Sequence, residues 1–154
     1  MASCYAAAMD RRRVSSGSPF EPAVGFSRAV RVGDRVLVSG TAPIWPDGSC
    51  DPDPAVQARR CLEIIESALH EAGAERSDVV RTRTYLVEAG DWETVGRVHG
   101  ELFGDTRPAS TMVIVAGLLD PRWRVEMEAE AVVATDASRR AGEPGRPTAD
   151  MGGR

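Results

Sequence analysis

Two periods of apolar residues take turns along this chain: a period of two, typical of strands, and a helical spacing of three to four. Over RAVRVGDRVLVSG, residues 28–40, Val30 and Val32 alternate with Arg31, and Val36 to Val38 returns after Gly33-Asp34. That pattern predicts a hairpin turning at Gly33-Asp34, with a short strand around Arg13 to Ser15 before it. IWPDGSCDPDP, residues 44–54, reads as a loop from its Pro, Gly and Asp content. Asp53 then caps a helix that has Pro54 at its first position. Its apolar stripe is Ala55, Ala58, Cys61, Leu62, Ile65, Ala68 and Leu69, and Ala72-Gly73 ends it. Ser77 or Asp78 introduces a strand, VVRTRTYLV, over 79–87. Asp91 caps a second helix that turns Trp92, Val95, Val98, His99, Leu102 and Phe103 inward and stops at Gly104. TMVIVA (111–116) is a strand, LLDPRW (118–123) a turn, and RVEMEAEAVVA (124–134) the last strand.

The order β-β-β-α-β-α-β-β predicts an α+β fold, a mixed sheet with both helices packed on one face. The other face must then be explained. On the last strand Val125, Met127, Ala129 and Ala131 point one way, and Glu126, Glu128 and Glu130 the other. On the neighbouring strand Val80, Thr82, Thr84 and Leu86 alternate with Arg81, Arg83 and Tyr85, so Arg81 and Arg83 can face the glutamates as cross-strand pairs. The three glutamates are either simply solvated or part of a subunit interface with a polar cleft at its edge.

Composition narrows the chemistry. The 154 residues suffice for one domain, with 42% apolar and 27% charged residues. Residues 1–12 read as a loose extension, 13–134 as the domain, and 135–154, rich in Gly, Pro and charge, as a disordered tail. Met9 can equally be the true start. All 19 basic residues are Arg. Without lysine, imine catalysis through a lysine amine and lysine-anchored pyridoxal phosphate are both excluded. The domain holds 13 Arg against 19 acids, a net charge of −6, which does not suit nucleic acid. Cys4, Cys50 and Cys61 are widely spaced and, with only His70 and His99 beside them, form no zinc set. No apolar run approaches the ~18 residues of a membrane span, and the first residues lack the charge order of a signal peptide. A reducing, cytoplasmic setting follows.

Four segments bear a resemblance to a known family. They are GFSRAVRVGDRVLVSG, QARRCLEIIESALHEAGA, DVVRTRTYLV with DWETVGRVHGELFG, and RPASTMVIVAGLLDPRWRVEMEAEAVV. Together they resemble the RidA/YjgF family over nearly all of residues 13–134. The resemblance implies a chorismate-mutase-like fold and a homotrimer with small-molecule clefts between subunits. It also implies cofactor-free hydrolysis of enamines and imines such as 2-aminoacrylate. In the family a glutamate of the last strand positions water, and an arginine in a PARS-like motif clamps the substrate carboxylate. Position by position, Glu126 matches that glutamate, and Ser39 with Gly40 matches the serine of the hairpin. Phe26 stands where the family has tyrosine, and Met112 where a cysteine donates its amide. Ser110 stands in place of the clamping arginine.

Losing that arginine removes a charge-assisted pair of about 1.5–3 kcal/mol, or about 3–5 kcal/mol in a desolvated cleft. Weak or absent activity on 2-aminoacrylate is therefore expected. Arg107, across Pro108, is the candidate substitute, ahead of Arg122 and Arg124. Ser110 and Thr111 supply neutral hydroxyls suited to a neutral polar ligand. Glu126 is either a base with a raised pKa or an ionised interface glutamate paired with Arg81 or Arg83. Three functions stay open: an imine or enamine hydrolase, a non-catalytic binding or chaperone-like trimer, and a tailoring enzyme of secondary metabolism.

Overall fold

The computed structural model describes residues 10–134. The tail expected over 135–154 and residues 1–9 of the expected extension lie outside them. Arg11 and Arg12 already belong to the first strand. The chain runs β1 (Arg11–Val14), α1 (Phe20–Val24), β2 (Ala29–Val32), β3 (Arg35–Thr41), α2 (Pro54–Glu71), β4 (Val79–Leu86), α3 (Trp92–Phe103), β5 (Ala109–Ile114) and β6 (Val125–Val132). One six-stranded sheet has the order β1-β2-β3-β6-β4-β5. The β4–β5 pair is parallel, and every other pair is antiparallel. This is the α+β layout the pattern predicts.

The long helix forms where its caps say it should. The Asp53 carboxylate accepts the Ala55 amide at 2.7 Å, Pro54 opens the helix, and Gly73 just past its end takes a φ of 76°. Ala58, Cys61, Leu62, Ile65, Ala68 and Leu69 are buried. They meet Val125, Met127, Ala129 and Ala131 of β6, the central strand, while Glu126, Glu128 and Glu130 face away and stay half-buried. Fully burying side chains of this size contributes about 1.5–3 kcal/mol for each large one, so the sheet face that meets the helices is fixed by β6.

Four expectations are corrected. The short helix α1 was not anticipated, because a single turn interrupted by Pro22 has no period to read. Trp92 is 58% exposed, not inward. Asp91 does not cap α3 with its side chain; both carboxylate oxygens accept from Arg124 at 2.8 Å. Val80 is 46% exposed because Val79 pairs with Ala131 and Arg81 with Glu130. Val80 is thus the extra residue of a bulge, and the alternation of β4 starts afresh after it.

Candidate functional site

A second irregularity, in β3, builds the site. Val38 pairs with Ala129 and Thr41 with Met127, so Ser39 and Gly40 together oppose one residue of β6. Arg28 Nη2 donates to the carbonyls of Ser39 at 2.6 Å and Gly40 at 2.7 Å. The Ser39 hydroxyl donates to the Ser27 carbonyl at 2.7 Å, and the Thr41 hydroxyl to the Ser39 carbonyl at 2.8 Å. These bonds satisfy carbonyls that the broken ladder leaves free.

The Glu126 carboxylate lies over Gly40. A Cβ on Gly40 would come to 3.3 Å from Glu126 Cδ and closer still to Oε1, so any side chain there would push the carboxylate out of this position. Burial pushes the Glu126 carboxyl above its ordinary pKa; the Arg28 charge opposes this and Glu128 adds to it. Glu128 and Glu130 both pair with Arg83, as the alternation predicts, but Arg81, expected to share that role, forms no ion pair among the described residues, and neither does Glu126. The result is a half-buried, unpaired carboxylate with a raised proton affinity, suited to hold or take a proton from water.

The strand β5 places its residues differently. Ser110 lies beside Thr82 on the helix side of the sheet; the Thr82 hydroxyl meets Ser110 Oγ at 3.1 Å and His99 Nε2 at 2.8 Å. Met112 packs against the core, on the same side, and does not adjoin Glu126. Thr111 pairs in register with Arg83 and turns to the open face with the glutamates. Arg107 is exposed, takes a φ of 47°, and donates Nε to the Gly104 carbonyl at 3.0 Å. Within one subunit, then, Phe26 and Ser39 line one cavity, and Gly40, the residue after Ser39, lies under Glu126. Ser110, Met112 and Arg107 do not join them: Ser110 and Glu126 are two strands apart on opposite faces, a separation of roughly 10–15 Å.

Two of the cavities lie among the candidate residues. One, of about 360 Å³, is lined by residues that include Cys50, Trp123, Arg122 and Arg124. Its guanidinium groups are already bound, to Asp120 and Asp91. The other, of about 490 Å³, is lined by Arg11, Arg13, Gly25, Phe26, Ser27, Val30 and Ser39. Sequence reasoning found Phe26 and Ser39 through the resemblance. It missed Arg28, Arg11 and Arg13, because nothing local marks an arginine that reaches across strands. Among the described residues no group of three His, Cys, Asp or Glu is placed to hold a metal ion, and no helix is long and apolar enough to cross a membrane.

The chain is similar to several known proteins. The family model described as Endoribonuclease L-PSP matches residues 17–133. A Streptomyces coelicolor protein, SCO2049, is 42% identical over 121 residues, 78% of this chain and 90% of its own. The 2-iminobutanoate/2-iminopropanoate deaminase of Escherichia coli is 32% identical over 112 residues, 70% of this chain and 86% of its own. The crystal structure of Rv2704 from Mycobacterium tuberculosis, a member of the YjgF/YER057c/UK114 family, superimposes with a TM-score of 0.75. It is 48% identical and covers 80% of this chain and 100% of its own. On the family model that spans most of it and on these likenesses, the chain belongs to the RidA/YjgF family.

Proposed function

We propose that this chain is a cofactor-free hydrolase of the imine and enamine deaminase type, working in the cytoplasm as a homotrimer with its ligand sites between subunits. The observation that carries this reading is the unpaired Glu126 carboxylate held over Gly40 with its pKa raised by burial. The deaminase name of the Escherichia coli relative supports the reaction class. Glu126 takes a proton from water as the oxygen adds to the C=N carbon. Glu126 returns that proton to the nitrogen, and the resulting carbinolamine collapses to the carbonyl compound as its hydroxyl proton also passes to the nitrogen, which leaves as ammonia. A shared cleft is what would bring Ser110 and Thr111 of one subunit toward Glu126 of the next, since within one subunit Ser110 and Glu126 are on opposite faces. With Ser110 in place of a clamping arginine, 2-aminoacrylate is a poor substrate.

The test is hydrolysis of imines generated in solution by an amino acid oxidase, followed through ammonia release. Glu126→Gln is expected to lower the rate by about 10²-fold or more. An undiminished rate in that variant would overturn the hydrolytic assignment. The second reading, a trimer that binds small molecules without chemistry, is favoured by Ser110, whose hydroxyl is tied back to Thr82. It gains ground if no imine is turned over faster than in buffer.

A further inference from the structure

The clamping arginine is missing from β5, yet cations line the opposite end of the open face. Arg11 and Arg13 both lie on the cavity of about 490 Å³ that also holds Phe26, Val30 and Ser39. They are two residues apart on one strand, so their Cα atoms are roughly 7 Å apart on the same face. Arg12, between them, points to the other face and donates to the Glu71 carbonyl.

No acid lines this cavity, and neither Arg11 nor Arg13 forms an ion pair among the described residues. Of the other arginines, Arg35, Arg59, Arg60, Arg76, Arg83, Arg122 and Arg124 meet carboxylates, and Arg12, Arg28, Arg31 and Arg107 donate to backbone carbonyls. In a domain with a surplus of acids, a pocket with two cations and no acid concentrates positive potential where an anion can reach it. Phe26 is 40% exposed and presents an apolar wall beside those cations. Ser39 lines the same cavity, and the next residue, Gly40, lies under the Glu126 carboxylate.

We infer that this cavity takes an organic anion, with the carboxylate between Arg11 and Arg13 and an apolar body against Phe26 and Val30. This site stands apart from the hydrolytic reading, since neither Gly40 nor Glu126 lines the cavity. Arg13 lies level with Val30, Leu37 and Glu130, so Glu126 is three strand spacings across and four residues along, roughly 20 Å between backbones.

Calorimetric titration of the full chain with phenylpyruvate and with its uncharged amide tests the idea. Phenylpyruvate is expected to bind and the amide to bind at least about tenfold more weakly, as the loss of a charge-assisted contact requires. Arg11→Gln and Arg13→Gln should each weaken phenylpyruvate by about tenfold, and added salt should weaken it further. Arg12→Gln, on the same strand but the other face, should leave binding unchanged. The inference is overturned if acid and amide bind alike, if Arg11→Gln and Arg13→Gln bind like the parent, or if phenylpyruvate does not bind at about 10 mM. Full imine turnover in Glu126→Gln would sink the hydrolytic reading and leave this binding result standing.

Discussion

One methyl group added to Gly40 has nowhere to go but into the Glu126 carboxylate. Gly40→Ala ought to help the strand, since alanine loses less backbone freedom on folding than glycine by about 0.5–1 kcal/mol. Instead the carboxylate must swing away from the bulge. We expect imine hydrolysis in Gly40→Ala to fall by at least about tenfold in kcat, with circular dichroism unchanged. Parental kcat would mean that Glu126 does not act from where it sits. Glu126 carries a stability signature as well. Burial raises its pKa above 4.5 in the folded chain, so its protonated form is favoured by folding. That contribution is fully present below the unfolded pKa and is lost as pH rises through the folded value. Glu126→Gln should therefore raise Tm at pH 7, and the gain should vanish below about pH 4. A Tm difference independent of pH would contradict this. The gain is modest, because the group is only half-buried.

Among the elements, α2 holds more than its stripe. Gln57 is fully buried. Its Nε2 donates to the carbonyls of Asp51 at 2.7 Å and Arg122 at 2.9 Å, and its Oε1 accepts the Arg124 amide at 2.7 Å. One side chain thus ties the loop before α2 to the loop that enters β6. Gln57→Leu keeps the volume and orphans three backbone groups, so urea unfolding should report a loss of about 2–3 kcal/mol. A loss under about 0.5 kcal/mol would mean that the loops relax to find other partners. Gln57 also marks where reading the chain stops. The stripe of α2 and the alternation of β6 were legible because burial repeats there at the period of the element. Asp91 in front of a helix obeys the capping rule in sequence, but Arg124, 33 residues away, takes its carboxylate. Arg28 was passed over for the same reason: its partners are carbonyls of a bulge that no periodicity announces. Small residues at Ser39 and Gly40 hide the break, since neither adds a hydrophobic beat.

At the scale of the molecule, one sheet face is sealed by helices, and the other carries Arg83 between Glu128 and Glu130, with Arg35 on Glu130 as well. Such a chain of alternating charge is a poor lone surface stabiliser, but it fixes side chains that a facing subunit can meet. The trimer proposed above predicts a sedimentation mass of three chains at micromolar concentration. A single-chain mass would leave Ser110 and Glu126 on opposite faces of one sheet and remove the shared cleft. The family resemblance groups Phe26, Ser39, Gly40 and Glu126; Phe26 and Ser39 line one cavity, and Gly40, next to Ser39, lies under the Glu126 carboxylate. It also grouped Ser110 and Met112 with them, a grouping that one subunit cannot provide, because partnership across subunits leaves no trace in a single chain's pattern.

The two-for-one pairing at Ser39 and Gly40 constrains how this gene can drift. Val38 and Thr41, three residues apart, both face the interior only because of it. Deleting one codon between them would restore unbroken pairing with Thr41 still inward, but would remove the extra residue that gives Arg28 its two carbonyls and Glu126 its seat over Gly40. A codon gained or lost a few positions later, in the 44–53 loop, alters only the length of a surface excursion. Descendants of this sequence should therefore vary freely in length after Ile44 and never between Val38 and Thr41.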